Sequence, residues 1–293
     1  MRAISSMAAA ALLLATGVAQ ADDVERSAPA DPHGQVEIVT VSGEIHILGW
    51  DRPEVQVKAS IGDHEELRLD SSDRHTSIRV VRANGGQTQA ATDLTVHVPR
   101  GSALNVSTIS ADQTIEDIRG SQRLQAVSGS ITTRVWSEEL QVKTISGDIE
   151  IHGNKTPSEV SVQTTSGDIV LSGTSGDLTL ETVTGDMDIN TEQLGRGRIH
   201  TTNGDLRLRT KLANDARVDA EAINGDLRFT LRKPVDAEFD VETFNGAIDN
   251  CFGPKATRTR EFAPGNALRF KEGAGGARVR VKTLNGGVEI CRE

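Results

Sequence analysis

The sequence predicts an all-β protein built as a parallel β-solenoid with coils of about 18–21 residues. Three observations predict this fold: one short phrase recurs along the chain, apolar and polar residues alternate around a glycine in each copy, and aromatic residues make up only 3% of 293 residues. A wide core is normally filled with aromatic side chains, whereas a thin core of Val, Ile, Leu and Thr needs few. The regular apolar spacing argues against disorder, although hydrophobic residues are 36% and the net charge is −10.

The recurring phrase reads apolar-x-apolar, polar residues, apolar, Ser/Thr/Asn, Gly, often Asp, then apolar-x-apolar. From Ala111, which takes the glycine slot once, to Gly246 the successive steps are 18, 18, 20, 18, 19, 21 and 21 residues. Each step fits one coil of a solenoid and is too short for an independent domain. The predicted turn glycines are Gly43, Gly129, Gly147, Gly167, Gly185, Gly204, Gly225, Gly246 and Gly286.

Apolar residues recur five and two positions before the glycine and two and four positions after it. Period-two alternation on both sides of a glycine indicates strand–turn–strand. Glycine accepts the positive φ of a tight turn, and the preceding Ser, Thr or Asn can bond the nearby backbone. Antiparallel hairpins are the alternative reading of such turns. Stacked parallel coils are favoured because they place like residues about 4.8 Å apart in every copy.

The phrase [VIL]-x-T-x-[SN]-G-D-[IL]-x-[IVL] resembles the bacterial putative-adhesin domain family, which consists of exported β-solenoids of mostly unknown function. The segments SGEIHILGWDRPEVQVKA at 42–59 and LTVHVPRGSALNVSTIS at 94–110 resemble the family's entry into its coils. The resemblance covers roughly residues 35–293 and implies the fold. It implies no catalytic residues.

The start of the chain predicts export. Arg2 precedes an apolar stretch from Met7 to Val18, and Ala19-Gln20-Ala21 fits a small-x-small cleavage pattern. The apolar stretch is short for a membrane span, so we expect a mature chain that is exported to the periplasm or cell surface and not inserted in a membrane. The predicted organisation is a signal peptide at 1–21, a flexible lead at 22–34, an N-terminal cap and first coil at 35–100, and a repetitive β-solenoid at 101–293 with an insertion at 252–276.

The two cysteines, Cys251 and Cys291, each lie five residues after a turn glycine. If the two coils are adjacent, the cysteines occupy one slot about 4.8 Å apart, which is within disulfide range. An oxidising compartment permits the bond. A metal or redox pair would need CxxC spacing or a nearby His, and the sequence offers neither.

Two columns of polar residues are candidate sites. Carboxylates follow the turn glycine and could bind Ca²⁺ or simply cap the turns. A Thr column three residues before the glycine could form an exposed ice- or glycan-facing array, or a hydroxyl ladder that supports the stacked strands, and we favour the ladder. The carboxylates are Glu44, Asp148, Asp168, Asp186, Asp205 and Asp226, and the Thr column is Thr40, Thr108, Thr144, Thr164, Thr182, Thr201, Thr243 and Thr283.

No HExxH or GxSxG motif is present, and the carboxylates recur at structural slots, so we expect no catalytic, cofactor or metal residues. The net negative charge of the chain disfavours nucleic acid as a partner. We expect a non-catalytic exported scaffold or adhesion-type binding protein of the bacterial envelope, with an envelope protein or glycan as its partner. Its sheet faces or the loops at 62–93 and 252–276 would make the contact. The alternatives are an accessory protein that binds an envelope partner and a carbohydrate-active β-helix enzyme.

Overall fold

The computed structural model of the chain describes residues 22–62, 65–82, 91–259 and 264–293. In these ranges all regular elements are β-strands, and no helix able to cross a membrane occurs in them. The predicted signal peptide at 1–21 lies outside the described residues. The strands are β1 (Asp22–Pro29), β2 (Gln35–Trp50), β3 (Glu54–Ile61), β4 (Glu65–Ser72), β5 (His75–Arg82), β6 (Asp93–Pro99), β7 (Ala103–Glu116), β8 (Gln122–Gln125), β9 (Ile131–Val135), β10 (Leu140–Lys143), β11 (Ile149–Gly153), β12 (Pro157–Ser166), β13 (Ile169–Thr184), β14 (Met187–Asn203), β15 (Leu206–Thr210), β16 (Leu212–Asn224), β17 (Leu227–Leu231), β18 (Ala237–Asn245), β19 (Ile248–Asn250), β20 (Thr257–Arg258), β21 (Asn266–Glu272), β22 (Ala277–Asn285) and β23 (Val288–Arg292).

The central coils stack in parallel, which confirms the β-solenoid and overturns the hairpin alternative. Each coil contributes one strand segment before its turn glycine and one after it, and both pair with the same segments of the next coil. Val162 of β12 pairs with Leu180 of β13, and Leu180 pairs with Ile199 of β14. After the turn, Ile151 pairs with Leu171 and Leu171 with Ile189. Residues five before the glycine and two and four after it therefore fill one thin core.

The turn glycines form a ladder along the solenoid, and the backbone requires glycine there. Gly185 has a φ of +143°, a region that side chains with a Cβ rarely adopt. A Cβ on Gly185 would also overlap the carbonyl oxygen of Gly167 in the coil below. The other turn glycines meet their neighbours in the same way, although the φ of Gly246 lies outside the left-handed region. Close backbone stacking thus explains why the slot so rarely holds another residue.

The last coil of the chain is not the last coil of the stack. Strand β22 pairs in parallel with β16 on one side and with β18 on the other, and β23 likewise lies between β17 and β19. The coil at 277–292 is therefore inserted between the coils at 212–231 and 237–250. The order of turn glycines at this end is Gly225, Gly286, Gly246, which differs from their order in the sequence.

The first coil is inserted in the same manner at the other end. Strand β2 pairs with β7 on one side and with β5 and β6 on the other. The coil formed by β5 and β6, which follows β2 in sequence, therefore lies outside it. The first coil is therefore internal, and the later residues of the segment 35–100 form the end of the stack.

Antiparallel strands cover the N-terminal end. Strand β4 pairs with β5, β3 pairs with β6, and β1 pairs with β3 from Asp22 to Pro29. The expected flexible lead at 22–34 is corrected, because β1 occupies the free edge of β3. An exposed strand edge invites pairing with another chain, and a polar strand such as β1 protects it.

The insertion at 252–276 covers the C-terminal end. Strand β21 pairs antiparallel with β18, and β20 pairs with β21. Phe270 of β21 stacks on the buried Phe239 with ring centroids 4.5 Å apart, and Phe252 packs against both rings. This aromatic cluster closes the core where the regular coils end. The insertion thus folds over the terminal coil of the stack.

Candidate binding surface

The inside of each turn carries the Thr column, which is buried. Thr182 is 3% exposed and its hydroxyl donates to the carbonyl oxygen of Thr184, 3.3 Å away. Thr144 and Thr164 make the equivalent bond to the residue before their turn glycine. Because these hydroxyls face the core and bond to the turn, the reading of the Thr column as an exposed ice- or glycan-facing array is overturned.

The outside of each turn carries the opposite kind of side chain. Residues two positions before the turn glycine form an apolar column in the sequence, yet most of them are exposed, and only Val41 and Thr202 are half-buried. Ile145 is 55% exposed and Phe244 is 47% exposed. We call this set the apolar ladder. Its members, in stack order, are Val41, Ile109, Val127, Ile145, Thr165, Val183, Thr202, Ile223, Leu284 and Phe244.

The apolar ladder is long and one side chain wide. Ten positions spaced about 4.8 Å apart extend roughly 43 Å along the solenoid. Eight of the ten side chains are aliphatic or aromatic and two are Thr. Scattered exposed apolar residues are ordinary, but a contiguous exposed apolar patch is typical of an interaction site. The ladder is therefore the strongest candidate for a binding surface in the described residues.

Polar columns border the apolar ladder on both sides. One side carries the Ser, Thr or Asn before each glycine, where side-chain amides bond from coil to coil. Asn224 donates to Asn203 at 2.7 Å, Asn285 donates to Asn224 at 2.8 Å, and Asn245 donates to Asn285 at 2.9 Å. The other side carries charged or amide residues such as Lys143, and their rows confine the apolar strip to a single column.

The carboxylates after the turn glycines are engaged by the backbone. The Asp168 carboxylate accepts a hydrogen bond from the backbone N–H of Asp186 at 2.8 Å, and Asp186 accepts one from Asp205 at 2.8 Å. Asp148, Asp205 and Asp226 accept from the following coil in the same way. Each Asp thus joins its turn to the next one. In the part of the chain that the structure describes, no group of three metal-ligating side chains could hold an ion.

The structure places Cys251 and Cys291 in one slot of neighbouring coils. Their sulfurs are bonded and their Cα atoms lie 4.8 Å apart. The adjacency exists only because the last coil is inserted beside the coil of Gly246. The disulfide therefore ties the C-terminal residues to the end of the stack. It lies away from the apolar ladder, five residues past the turn.

The two loops expected to contact a partner serve the ends of the stack. The segment 62–93 contributes the β4–β5 hairpin, although residues 63–64 and 83–90 within it lie outside the described part. The segment 252–276 contributes β20 and β21, with 260–263 likewise outside. Sequence reasoning missed the apolar ladder. The sequence offers one signal for it. Each ladder residue directly follows a residue of the Thr column, and two neighbouring residues of an extended segment cannot both face the core.

One family model and several solved structures match the chain. The model of the family described as Toastrack DUF4097 matches residues 51–246. No curated protein matches the chain. A putative adhesin from Bacteroides fragilis is 9% identical with a TM-score of 0.35, and 92% of this chain and 96% of that chain are covered. A putative adhesin from Parabacteroides distasonis is 10% identical with a TM-score of 0.32, at coverages of 92% and 98%. A putative cell adhesion protein from Clostridium sporogenes is 11% identical with a TM-score of 0.25, at coverages of 93% and 100%. These similarities are too low to transfer any property.

Proposed function

The chain belongs to the Toastrack DUF4097 family, and we propose a function for it from its surface. The protein is a non-catalytic exported scaffold that binds a partner protein of the bacterial envelope through the apolar ladder. The family membership supports the scaffold and leaves the partner open, since a fold does not fix a function.

The alignment of exposed apolar side chains supports binding. Ile109, Ile145 and Ile223 are 43%, 55% and 41% exposed, although other aliphatic side chains are buried in the same coils. Each buried aliphatic side chain contributes about 1.5–3 kcal/mol relative to an exposed one. The exposed side chains of the apolar ladder do not contribute this free energy in the isolated chain. A partner that covers the ladder would recover it on binding.

The dimensions of the ladder favour an extended protein segment as the occupant. A strip that is one side chain wide can accommodate an extended segment, because every second side chain of such a segment points to the same face. The hydroxyl and amide column beside it, including Asn203 and Asn224, offers hydrogen-bonding groups to the backbone of such a segment. A polar rim around an apolar centre is the usual composition of a protein–protein interface.

We also propose that the protein is not an enzyme, and this part of the proposal rests on the hydrogen bonds that its carboxylates accept. A general acid or base must lie within hydrogen-bond reach of the proton that it moves. Asp148, Asp168, Asp186 and Asp205 all accept backbone hydrogen bonds that hold adjacent coils together. A panel of envelope polysaccharides should therefore yield no new reducing ends when incubated with the purified protein.

Site-specific photo-crosslinking in the native envelope tests the binding claim. A photoreactive phenylalanine analogue replaces Ile145 on the ladder, and in the control chain it replaces Asp188, an exposed residue after the turn. We expect a discrete adduct of the mass of this chain plus one other protein at position 145, and no adduct at position 188. The same adduct should be lost when Val127, one coil away on one side, and Val183, two coils away on the other, are both changed to Ser.

Two results would contradict the proposal. One is the absence of any adduct at position 145 while the protein is folded and exported. The other is an adduct with twice the mass of the chain, which would identify a second copy as the occupant and the ladder as a self-association surface.

Export is tested separately. We expect the N-terminal residue of the protein in the periplasmic or surface fraction to be Asp22, by mass spectrometry of the N-terminal peptide. A chain that retains Arg2 and is recovered with the cytoplasm would contradict export without bearing on the apolar ladder.

A further inference from the structure

Three arginines occupy one row on three neighbouring coils. Arg196 of β14 pairs in register with Arg217 of β16, and Arg217 pairs with Arg278 of β22. We call these three residues the basic row. Parallel stacking places their Cα atoms about 4.8 Å apart, and like charges directly opposite each other destabilise a sheet. The row is assembled by the inserted last coil, since Arg278 follows Arg217 by 61 residues in the sequence.

Only one member of the basic row is neutralised. Asp177 lies 2.6 Å from the Arg196 guanidinium, and its hydrogen bond raises the pKa of Arg196. In residues 91–259 and 264–293, which are described around this site, neither Arg217 nor Arg278 makes an ion pair. Glu238 stands in register with Arg278 on the far side but does not pair with it either. Two adjacent guanidinium groups are thus left with their donors free.

The next row reinforces the positive character. Arg198 and Arg280 stand in register on either side of Asp219. One Oδ of Asp219 is buried and accepts no hydrogen bond from any described residue. Asp240 beyond Arg280 is held by Arg269 at 2.8 Å, which leaves Arg280 without an ion pair. Asp219, which lies between Arg198 and Arg280, therefore makes no ion pair with any described residue.

The two rows line a concave site. A cavity of about 540 Å³ lies over the outward face of β14, β16 and β22. Its walls include five arginines, the basic row with Arg198 and Arg280, and three carboxylates, Glu159, Asp177 and Asp219. Its volume falls within the range of small-ligand sites, roughly 300–1,000 Å³. Arg196 precedes Thr202 of the apolar ladder by six residues, so the cavity lies roughly 20 Å from the ladder on the same face.

We propose that this cavity binds a ligand that carries phosphate groups. The planar guanidinium fork matches phosphate oxygens with paired hydrogen bonds, and arginines free of carboxylates are available to make them. A phosphate bound between Arg217 and Arg278 would attract both guanidinium groups and so offset the repulsion between them. The net charge of −10 opposes attraction of a large anionic surface, so recognition depends on groups that enter the cavity. The site is independent of the apolar ladder.

Binding is tested with two phosphate sources. Pyrophosphate is titrated into the full chain by calorimetry at low salt, and vesicles of phosphatidylcholine with one fifth phosphatidylglycerol are co-sedimented with it. Each source is tested against the wild type, the double variant R217Q/R278Q and the control R134Q/R207Q. The control removes the same charge at exposed arginines that make no ion pair with any residue in the described ranges.

We expect R217Q/R278Q to weaken binding at least tenfold and R134Q/R207Q to change it less than twofold. Binding confined to pyrophosphate identifies a soluble phosphate ligand, and binding confined to the anionic vesicles identifies a lipid headgroup. Equal affinity of wild type and R217Q/R278Q for both sources overturns the proposal. The melting temperature of R217Q/R278Q should equal or exceed that of the wild type, because repulsion is removed; a clear decrease would show that the arginines serve folding and would also overturn it.

Discussion

Two columns of the repeat have the same kinds of side chain and opposite surroundings. The inner column lies five residues before the turn glycine, and the outer column, which is the apolar ladder, lies two residues before it. Leu180, five residues before its turn glycine, is fully buried between coils, whereas Val183, two residues before the same glycine, is 46% exposed. The coils of Gly129 and Gly147 repeat this contrast, with Leu124 and Val142 buried and Val127 and Ile145 exposed. Aliphatic character in a repeat therefore does not by itself mean core. The inner column holds the coils together, and the outer column has no such role in the isolated chain.

Both columns depend on the glycine ladder, so its loss gives the largest expected effect. Gly185→Ala places a Cβ against the carbonyl of Gly167 and should destabilise the chain by about 4 kcal/mol or prevent folding. Gly253→Ala is the matched control, since Gly253 also has a positive φ, +115°, but a Cβ there meets nothing. Backbone strain alone should lower its stability by about 1–3 kcal/mol. Urea unfolding measures both, and equal losses would refute the close stacking of turns.

The contrast between the columns is measured directly by matched truncations. Leu180→Ala should lower the free energy of unfolding by about 2–5 kcal/mol, because it leaves a cavity between coils. Val183→Ala should change it by less than about 0.5 kcal/mol, because the side chain lies in solvent. Both values come from denaturant unfolding of the purified protein. A loss of more than 2 kcal/mol for Val183→Ala would mean that the outer column belongs to the core.

The disulfide extends the comparison to the C-terminal end of the stack, where it joins the inserted coil at 277–292 to the coil at 237–250. The bond closes a loop with a sequence separation of 40 residues, and its loss in C251S/C291S should lower stability by about 2–4 kcal/mol. Intact mass before and after reduction and alkylation checks the bond itself. Two thiols that alkylate freely in the native protein would show that the coils of Gly246 and Gly286 are not held together as described.

The smallest effect concerns the carboxylates that follow the glycines. Asp186→Ala removes the acceptor for the backbone N–H of Asp205 and should lower stability by about 0.5–1.5 kcal/mol. Asp186→Asn keeps an acceptor and removes a like charge from the Asp column, so it should not destabilise. Thermal melts of both variants, with Asp188→Ala as the exposed control, separate these effects. Equal losses for the Ala and Asn variants would contradict the hydrogen-bonding role.

The repeat made the solenoid and the slot of the two cysteines predictable from the sequence. Identical phrases can stack only in register, and a glycine in a fixed slot identifies the turn. The order of the end coils was not predictable, because Gly225 can stack equally well on Gly246 or Gly286 when both carry the same phrase. The cap strands β1 and β4 were missed because their partners are distant in sequence and their residues are mostly polar.

The candidate sites were less predictable than the fold. Alternation around the glycine predicts that strands form, but the extra outward residue at the turn shifts the register, so the apolar ladder looked like another core column. The basic row could not be read from the sequence, because Arg217 and Arg278 become neighbours only through the inserted last coil. A surface whose residues come from different coils cannot be predicted until the order of the coils in the stack is known.

Thiol labelling at the apolar ladder tests the account most directly. With Ile145→Cys, we expect a maleimide to label the purified protein rapidly and the same protein in isolated envelopes at least tenfold more slowly, because a partner covers the ladder there. Asp188→Cys should be labelled equally fast in both settings. Equal labelling of Ile145→Cys in both settings would contradict a covered ladder, and slow labelling of the purified protein would contradict its exposure.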